Sequence, residues 1–317
     1  MSSAAGLYKN FRPLCSVSYK AVFCLKGILL DRVWSKGCER MKISQIKELL
    51  AGTPTAEQLA ELKADERSGV QKLVAAYYKR KEKEMQELER WENMNQYEDE
   101  YYLRGAKLIA GVDEAGRGPL AGPLVIAAVI LPQDAFIPGL NDSKQLSAVK
   151  RDKLYDEVLK QALAVEVNIV SVSNIDKYNI YGATQRGMVE VLEHLKLKPQ
   201  VALVDAMPLP DMDIEAVPIV HGDALSVSIA AASIIAKVTR DRIMERLAEK
   251  FPAYGFGQNK GYGSAAHMQA ISQYGATKWH RRSYEPVKSM ALASAPLATN
   301  ELYSPQDDCH YVFIIVA

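Results

Sequence analysis

The chain has 317 residues, 48% of them apolar, and 39 lysines and arginines against 38 aspartates and glutamates. That length allows one or two ordinary domains with a substantial core. A net charge of +1 excludes a polybasic or histone-like binder, although it says nothing about local fields. The longest apolar stretches, such as Leu124 to Pro132 and Ile229 to Ala236, fall far short of the roughly 20 residues a membrane span requires, so a soluble protein without a membrane partner is expected.

The four cysteines, Cys15, Cys24, Cys38 and Cys309, sit near the two ends. No disulfide framework or cysteine-based zinc site can hold the centre, and a reducing cytoplasm fits that usage. Charge divides the chain further. Residues 1–40 carry seven basic and two acidic side chains, 41–106 carry 11 and 13, 107–288 carry 21 and 20, and 289–317 carry none and three. The first 40 residues are richer in lysine than an organelle-targeting peptide and have no clean helical stripe. They read as a leader of doubtful origin, without fixed structure, before Met41. The tail 289–317, rich in small residues and then apolar, reads as a disordered extension.

Residues 41–106 consist mostly of strong helix formers and are expected to be a helical N-terminal extension. Thr55, followed by Glu57 and Gln58, marks a helix start, and Gln71 to Leu103 predicts a long charged helix or a pair of helices. Within it, Lys79 to Lys83 (KRKEK) could touch nucleic acid. The acids from Glu82 to Glu100 dilute that charge, and a solvated face is the preferred reading.

After Arg104 the pattern becomes that of strands. Lys107 to Val112 and Leu124 to Leu131 are short apolar runs separated by a turn rich in glycine and proline. Ala164 to Val172, Val201 to Val204 and Ala216 to Val220 predict further strands. Thr184 to Leu195 predicts a helix, and Ala224 to Lys250 one long helix. A meander followed by alternation implies an α/β fold with a sheet of mixed direction, spanning 107–288.

Acids stand where buried strands end: Asp113 and Glu114, Asp205, and Asp223 before the long helix. Strand ends form the rim where α/β sheets bind ligands. Four converging carboxylates would repel one another unless divalent cations filled the gap, and oxygen-only ligation favours Mg2+ or Mn2+ over zinc. Each acid also has a plain alternative: Asp223 as a helix cap, Asp205 in a turn before Pro208, and Asp113 and Glu114 as exposed turn residues. The segment Gly116 to Gly122 is neither a dinucleotide fingerprint nor a phosphate loop followed by Lys and Ser or Thr. What remains is a loop whose backbone can approach a sugar or phosphate beside an acidic pair. Residues 237–288 add ten lysines and arginines against four acids, with Tyr254, Phe256, Tyr262, Tyr274, Trp279 and Tyr284 interleaved. That composition suits a surface which tracks a phosphate backbone, although a basic helix with ordinary loops would share it.

The runs GVDEAGRGPLAGP (Gly111 to Pro123), NDSKQL (Asn141 to Leu146), LVDAM (Leu203 to Met207), HGDALSVSIAAASIIAKVTRD (His221 to Asp241), NKGYGS (Asn259 to Ser264) and HRRSYEPV (His280 to Val287) together resemble the ribonuclease HII family, in that family's order. The resemblance implies a ribonuclease H-like mixed five-stranded sheet flanked by helices. It implies that Asp113, Glu114, Asp205 and Asp223 are catalytic and bind two divalent ions, Mg2+ or Mn2+. It also implies that Gly116, Arg117 and Gly118 recognise a ribose 2′-hydroxyl, that Tyr262 stacks on a deoxyribose, and that Lys144 contacts phosphate with help from Lys237, Arg240 and His280. The implied substrates are RNA/DNA hybrids and duplex DNA containing ribonucleotides, cut by a monomer in the cytoplasm during ribonucleotide and RNA-primer removal.

Overall fold

The computed structural model describes residues 40–293 apart from Asp211. The expectations for a leader over 1–40 and a tail over 289–317 lie almost wholly outside the described residues. Compact packing divides the chain between Tyr78 and Lys79, within one helix, and each unit is taken by itself.

In the first unit, α1 (Ile43–Ala51), α2 (Ala56–Ala64) and the start of α3 (Ser68–Met94) enclose Ile46, Leu50, Leu62, Val70, Val74 and Tyr77. The helix start expected at Thr55 is a reciprocal cap. The Gln58 N–H donates to the Thr55 hydroxyl at 3.2 Å, and the Thr55 N–H to Gln58 Oε1 at 2.8 Å.

In the second unit the charged helical stretch is indeed a pair, since α3 stops before Asn95 and α4 runs Gln96–Leu103. The sheet contains β1 (Ile109–Ala115), β2 (Leu124–Ile130), β3 (Ala164–Val170), β4 (Val201–Asp205) and β5 (Glu215–Ile219), in the order β3-β2-β1-β4-β5. The first three form an antiparallel meander, while β4 and β5 join β1 in parallel. At the edge, β5 carries Pro218 opposite Val204.

Alternation along β2 explains the layers. Val125, Ala127 and Val129 pack with α5 (Ala148–Gln161) and with a long helix described below. Leu124, Ile126, Ala128 and Ile130 face α6 (Val172–His194) on the other side. A strand buried on both faces needs the unbroken apolar run that β2 has. The helix expected from Thr184 begins twelve residues earlier, at Val172, and is interrupted at Asn179, whose φ is 56°.

The helix expected from Ala224 divides differently. A single turn, α7 (Gly222–Leu225), is followed by extended Ser226, and α8 (Val227–Lys250) starts there with the Ser226 hydroxyl accepting from the Ile229 N–H at 3.2 Å. Ser226, and not Asp223, is therefore the cap of the long helix. α8 crosses β1 in backbone contact: a Cβ at Gly111 would lie 2.0 Å from the Ser228 carbonyl carbon. Beyond it come α9 (Phe256–Asn259), α10 (Ala265–Tyr274) and α11 (Val287–Ala293), which extends past Lys288. Among the described residues no helix is long and apolar enough to cross a membrane.

Candidate active site

Val112 and Val204 face each other on the parallel strands β1 and β4, so the next residues, Asp113 and Asp205, reach the same end of the sheet. Asp223 arrives on α7, just after β5. The Gly222 N–H donates to Asp205 Oδ1 at 2.8 Å and ties that turn to the end of β4. Asp113 Oδ1 accepts from the Glu114 N–H at 2.6 Å. Arg117 Nη1 stands 3.3 Å from Glu114 Oε1, and Lys144 Nζ 3.7 Å from Asp223 Oδ2.

These acids are short of positive charge. Burial, reinforced by Glu114 and Asp205, pushes the Asp113 carboxyl well above its usual range. Burial also raises Glu114, with Arg117 acting against the shift, and raises Asp223, with Asp142 adding to it. Lys144 is raised in turn: desolvation opposes its charge, but the fields of Asp223, Asp113, Asp142 and Asp205 outweigh that. Glu114 Oε2 is buried with no hydrogen-bond partner. Among the described residues no three such side chains already form a ligating array. The chemistry of the set still suits a hard divalent cation, because the donors are all carboxylate oxygens, Arg117 and Lys144 compensate their repulsion only in part, and one oxygen is orphaned.

The glycine loop follows the acids directly. Gly116 has φ of 100°, and a Cβ there would meet Arg240 Nε at 2.1 Å, so only glycine suits the position. Two buried guanidinium groups hold the loop from beneath. Arg281, 0% exposed, donates to the carbonyls of Gly116 at 2.6 Å, Arg117 at 2.9 Å and Gly122 at 2.9 Å. Arg240, 1% exposed, donates to Pro123 and Ala121 at 3.1 Å each and to Lys260 at 2.9 Å. The Tyr284 hydroxyl donates to the Arg117 carbonyl at 2.7 Å. With those carbonyls engaged, the N–H groups of Gly116, Arg117 and Gly118 meet no acceptor among the described residues. They are free to donate to a ligand.

The family profile described as Ribonuclease HII matches residues 110–287, and the Ribonuclease HII N-terminal domain matches 42–102. The Ribonuclease HII of Bacillus cereus (strain Q1) is 53% identical over 226 residues, covering 71% of this chain and 88% of the relative. The chain belongs to the ribonuclease HII family. Ribonuclease HII of Geobacillus sp. (strain WCH70) is 52% identical over 230 residues, 73% of this chain and 83% of the relative. The crystal structure of ribonuclease H2 from Pyrococcus horikoshii OT3 is similar at 31% identity with a TM-score of 0.51, covering 59% of this chain and 98% of that one. The mixed sheet, its flanking helices and the helical N-terminal region are thus those of a ribonuclease HII, and the chain is a ribonuclease H enzyme.

Within this ribonuclease HII the expected substrate residues fall into two groups. Lys144 is 79% exposed at its side chain beside Asp223, and Tyr262 is 53% exposed. Tyr262 lies against the loop, since a Cβ at Gly118 would come 3.6 Å from its Cε1. The other group is engaged within the protein. Lys237 pairs with Asp241 one helical turn on, at 2.7 Å. Arg240 and His280, expected at the substrate surface, lie beneath it at 1% exposure, and the Nε2 atoms of His280 and His267 are 3.0 Å apart. Neither motif nor spacing assigns the structural parts of Arg281 and Glu98. For Arg281 a signal existed, because it sits in the HRRSY run, but composition cannot tell a buried arginine from a surface one. Glu98 was hidden in a run of acids that looked uniformly solvated.

Proposed function

We propose that this ribonuclease HII hydrolyses the RNA strand of RNA/DNA hybrids and incises 5′ of single ribonucleotides embedded in duplex DNA, leaving 3′-hydroxyl and 5′-phosphate ends. The observation that carries the reading is the direct succession of Asp113, Glu114 and the Gly116 to Gly118 loop. It puts a cluster of charge-starved carboxylates beside a row of unengaged backbone N–H donors.

In this reading Asp113, Glu114, Asp205 and Asp223 hold two divalent ions, Mg2+ or Mn2+. When bound by these four carboxylates, two such ions would supply an activated water and would neutralise charge at the departing 3′ oxygen. The chain's own groups do the rest. The loop N–H groups donate to the ribose 2′-hydroxyl, which can both accept and donate, and a deoxyribose offers them nothing equivalent. Tyr262 stacks on the sugar beyond the RNA to DNA junction, and Lys144 contacts a phosphate. Water is the nucleophile, so the 2′-hydroxyl is read and does not attack. The helices within 41–106 serve as an N-terminal extension to a catalytic domain over 107–288, and the enzyme acts as a monomer in the cytoplasm on ribonucleotides and RNA primers.

The test is a duplex with one ribonucleotide, incubated with Mg2+ or Mn2+. Incision on the 5′ side of that ribonucleotide is expected. No incision with either ion, or equal cutting of an all-DNA duplex, would sink the reading. Asp205→Asn should abolish cleavage while largely sparing binding of the hybrid.

A further inference from the structure

Glu98 belongs to the stretch matched by the family's N-terminal domain, yet it is only 1% exposed. Its Oε1 accepts from the Ser226 hydroxyl at 2.5 Å and from the Ser228 N–H at 3.0 Å. Its Oε2 is buried and without a hydrogen-bond partner. Tyr101, three residues on and so on the same face of α4, packs with Ile109, Leu203, Ile219 and Ile229. The Tyr101 hydroxyl donates to Glu215 Oε1 at 2.6 Å. α4 is thus fixed against the sheet, and Glu98 reaches from it to the start of α8.

What Glu98 grips leads straight to two of the site acids. Ser226, extended between α7 and α8, donates its N–H to the Gly222 carbonyl at 2.8 Å and closes the turn that bears Asp223. Ile229, one residue after Ser228, presses on that turn: a Cβ at Gly222 would lie 2.5 Å from Ile229 Cδ1 and 3.4 Å from Asp205 Oδ1. The Gly222 N–H, held in that gap, is the donor to Asp205. A carboxylate buried without a cation is costly, and a bond to a hydroxyl and an amide offsets that only if both stay in place.

We propose that Glu98 is a positioning residue which, by clamping Ser226 and Ser228, sets the turn carrying Asp223 and, through the Gly222 N–H, the orientation of Asp205. The inference rests on the reading that Asp205 and Asp223 hold the metal. It assigns the end of the N-terminal region a part in the chemistry.

The experiment uses the full chain and compares Glu98→Ala, Glu98→Gln, Ser226→Ala and Asp223→Asn. Mn2+ binding to the protein alone is measured by calorimetry, hydrogen exchange over 222–228 without metal, and kcat and KM on a duplex with one ribonucleotide. Glu98→Ala should weaken Mn2+ binding and lower kcat by about 10- to 100-fold, the range typical when a partner of a metal ligand is removed. KM should stay within about twofold, because substrate contacts are untouched, and exchange at 222–228 should speed up. Glu98→Gln should recover most of the loss, since its amide oxygen can accept both bonds. If Glu98→Ala does not fold, Ser226→Ala decides, and weaker Mn2+ binding is expected there too. Normal Mn2+ binding and kcat in folded Glu98→Ala, with both lost in Asp223→Asn, overturns the proposal alone. Normal metal binding in Asp223→Asn overturns the metal reading and the proposal with it.

Discussion

Arg281 is fully buried, yet its guanidinium donates only to neutral acceptors, the carbonyls of the glycine loop and the Tyr284 hydroxyl. Burial holds its pKa down, as it does for Arg240, which falls to about 10. The planar fork is what lets one side chain reach Gly116, Arg117 and Gly122 together, and a lysine ammonium cannot reproduce it. Arg281→Lys should cost on the order of 3 kcal/mol in urea unfolding, from carbonyls left unpaired. It should also erode discrimination between a ribonucleotide and a deoxyribonucleotide in binding assays. The His267 and His280 pair sets a pH dependence. Burial, together with His267, holds His280 at about 4 against 6.5 for a free imidazole, and burial also lowers His267. Between those values the unfolded chain binds protons that the fold refuses. The stability His280 contributes is therefore complete above pH 6.5 and is lost as pH falls towards 4, by roughly 3 kcal/mol. The site carboxylates, raised in the fold, act in the opposite sense on acidification. The measurement is thus a difference: between pH 7 and 4.5, His280→Gln should lose less stability than the parent protein.

α8 is the element on which the site depends, because it runs over β1 without a side chain between them. Gly111→Ala would drive a methyl group into the Ser228 backbone, and backbone cannot rotate aside as a side chain can. The expected loss is at the upper end of the 1–3 kcal/mol usual for overpacking, or more, read from thermal unfolding. A variant as stable as the parent would mean that α8 sits further from β1. All five strands could be read from the sequence, β1, β2 and β4 as short apolar runs and β3 and β5 from their β-branched residues. The join between α7 and α8 could not be, because Ser226, Val227 and Ser228 look like any other part of a helix rich in small residues. Ser226 and Ser228 there donate to Glu98, more than a hundred positions away. α5 was overlooked for a different reason. Only Leu154, Tyr155 and Val158 are buried along it, a stripe too thin to stand out among its charges. The four acids stand out in the sequence because each lies at the end of an apolar run or at a turn, whereas nothing local announces that Lys237 is paired and that Arg240 and His280 are buried.

Across the molecule, half of the basic side chains of 237–288 are already engaged within the protein, by burial or in ion pairs. Besides Arg240 and Arg281, Lys237 pairs with Asp241, Lys260 with Glu245 and Arg242 with Asp152. If all ten cations met phosphates, log K against log salt would fall with a slope near −9. The packing predicts a slope nearer −3, from about three contacts. A hybrid-binding titration from 50 to 200 mM salt distinguishes the two. Trimming the chain to residues 40–293 should leave kcat unchanged, since both family matches lie inside that span. The edge strand β5 has one more effect. The Ile219 carbonyl accepts from the Ala206 N–H on the β4 side, and backbone groups alternate along a strand, so Pro218 turns its nitrogen to the open edge. A ring sits where an incoming chain would look for a hydrogen-bond donor. Copies of this enzyme crowded together thus find no continuous ladder to extend along β5, and the proline guards that edge against fibre growth.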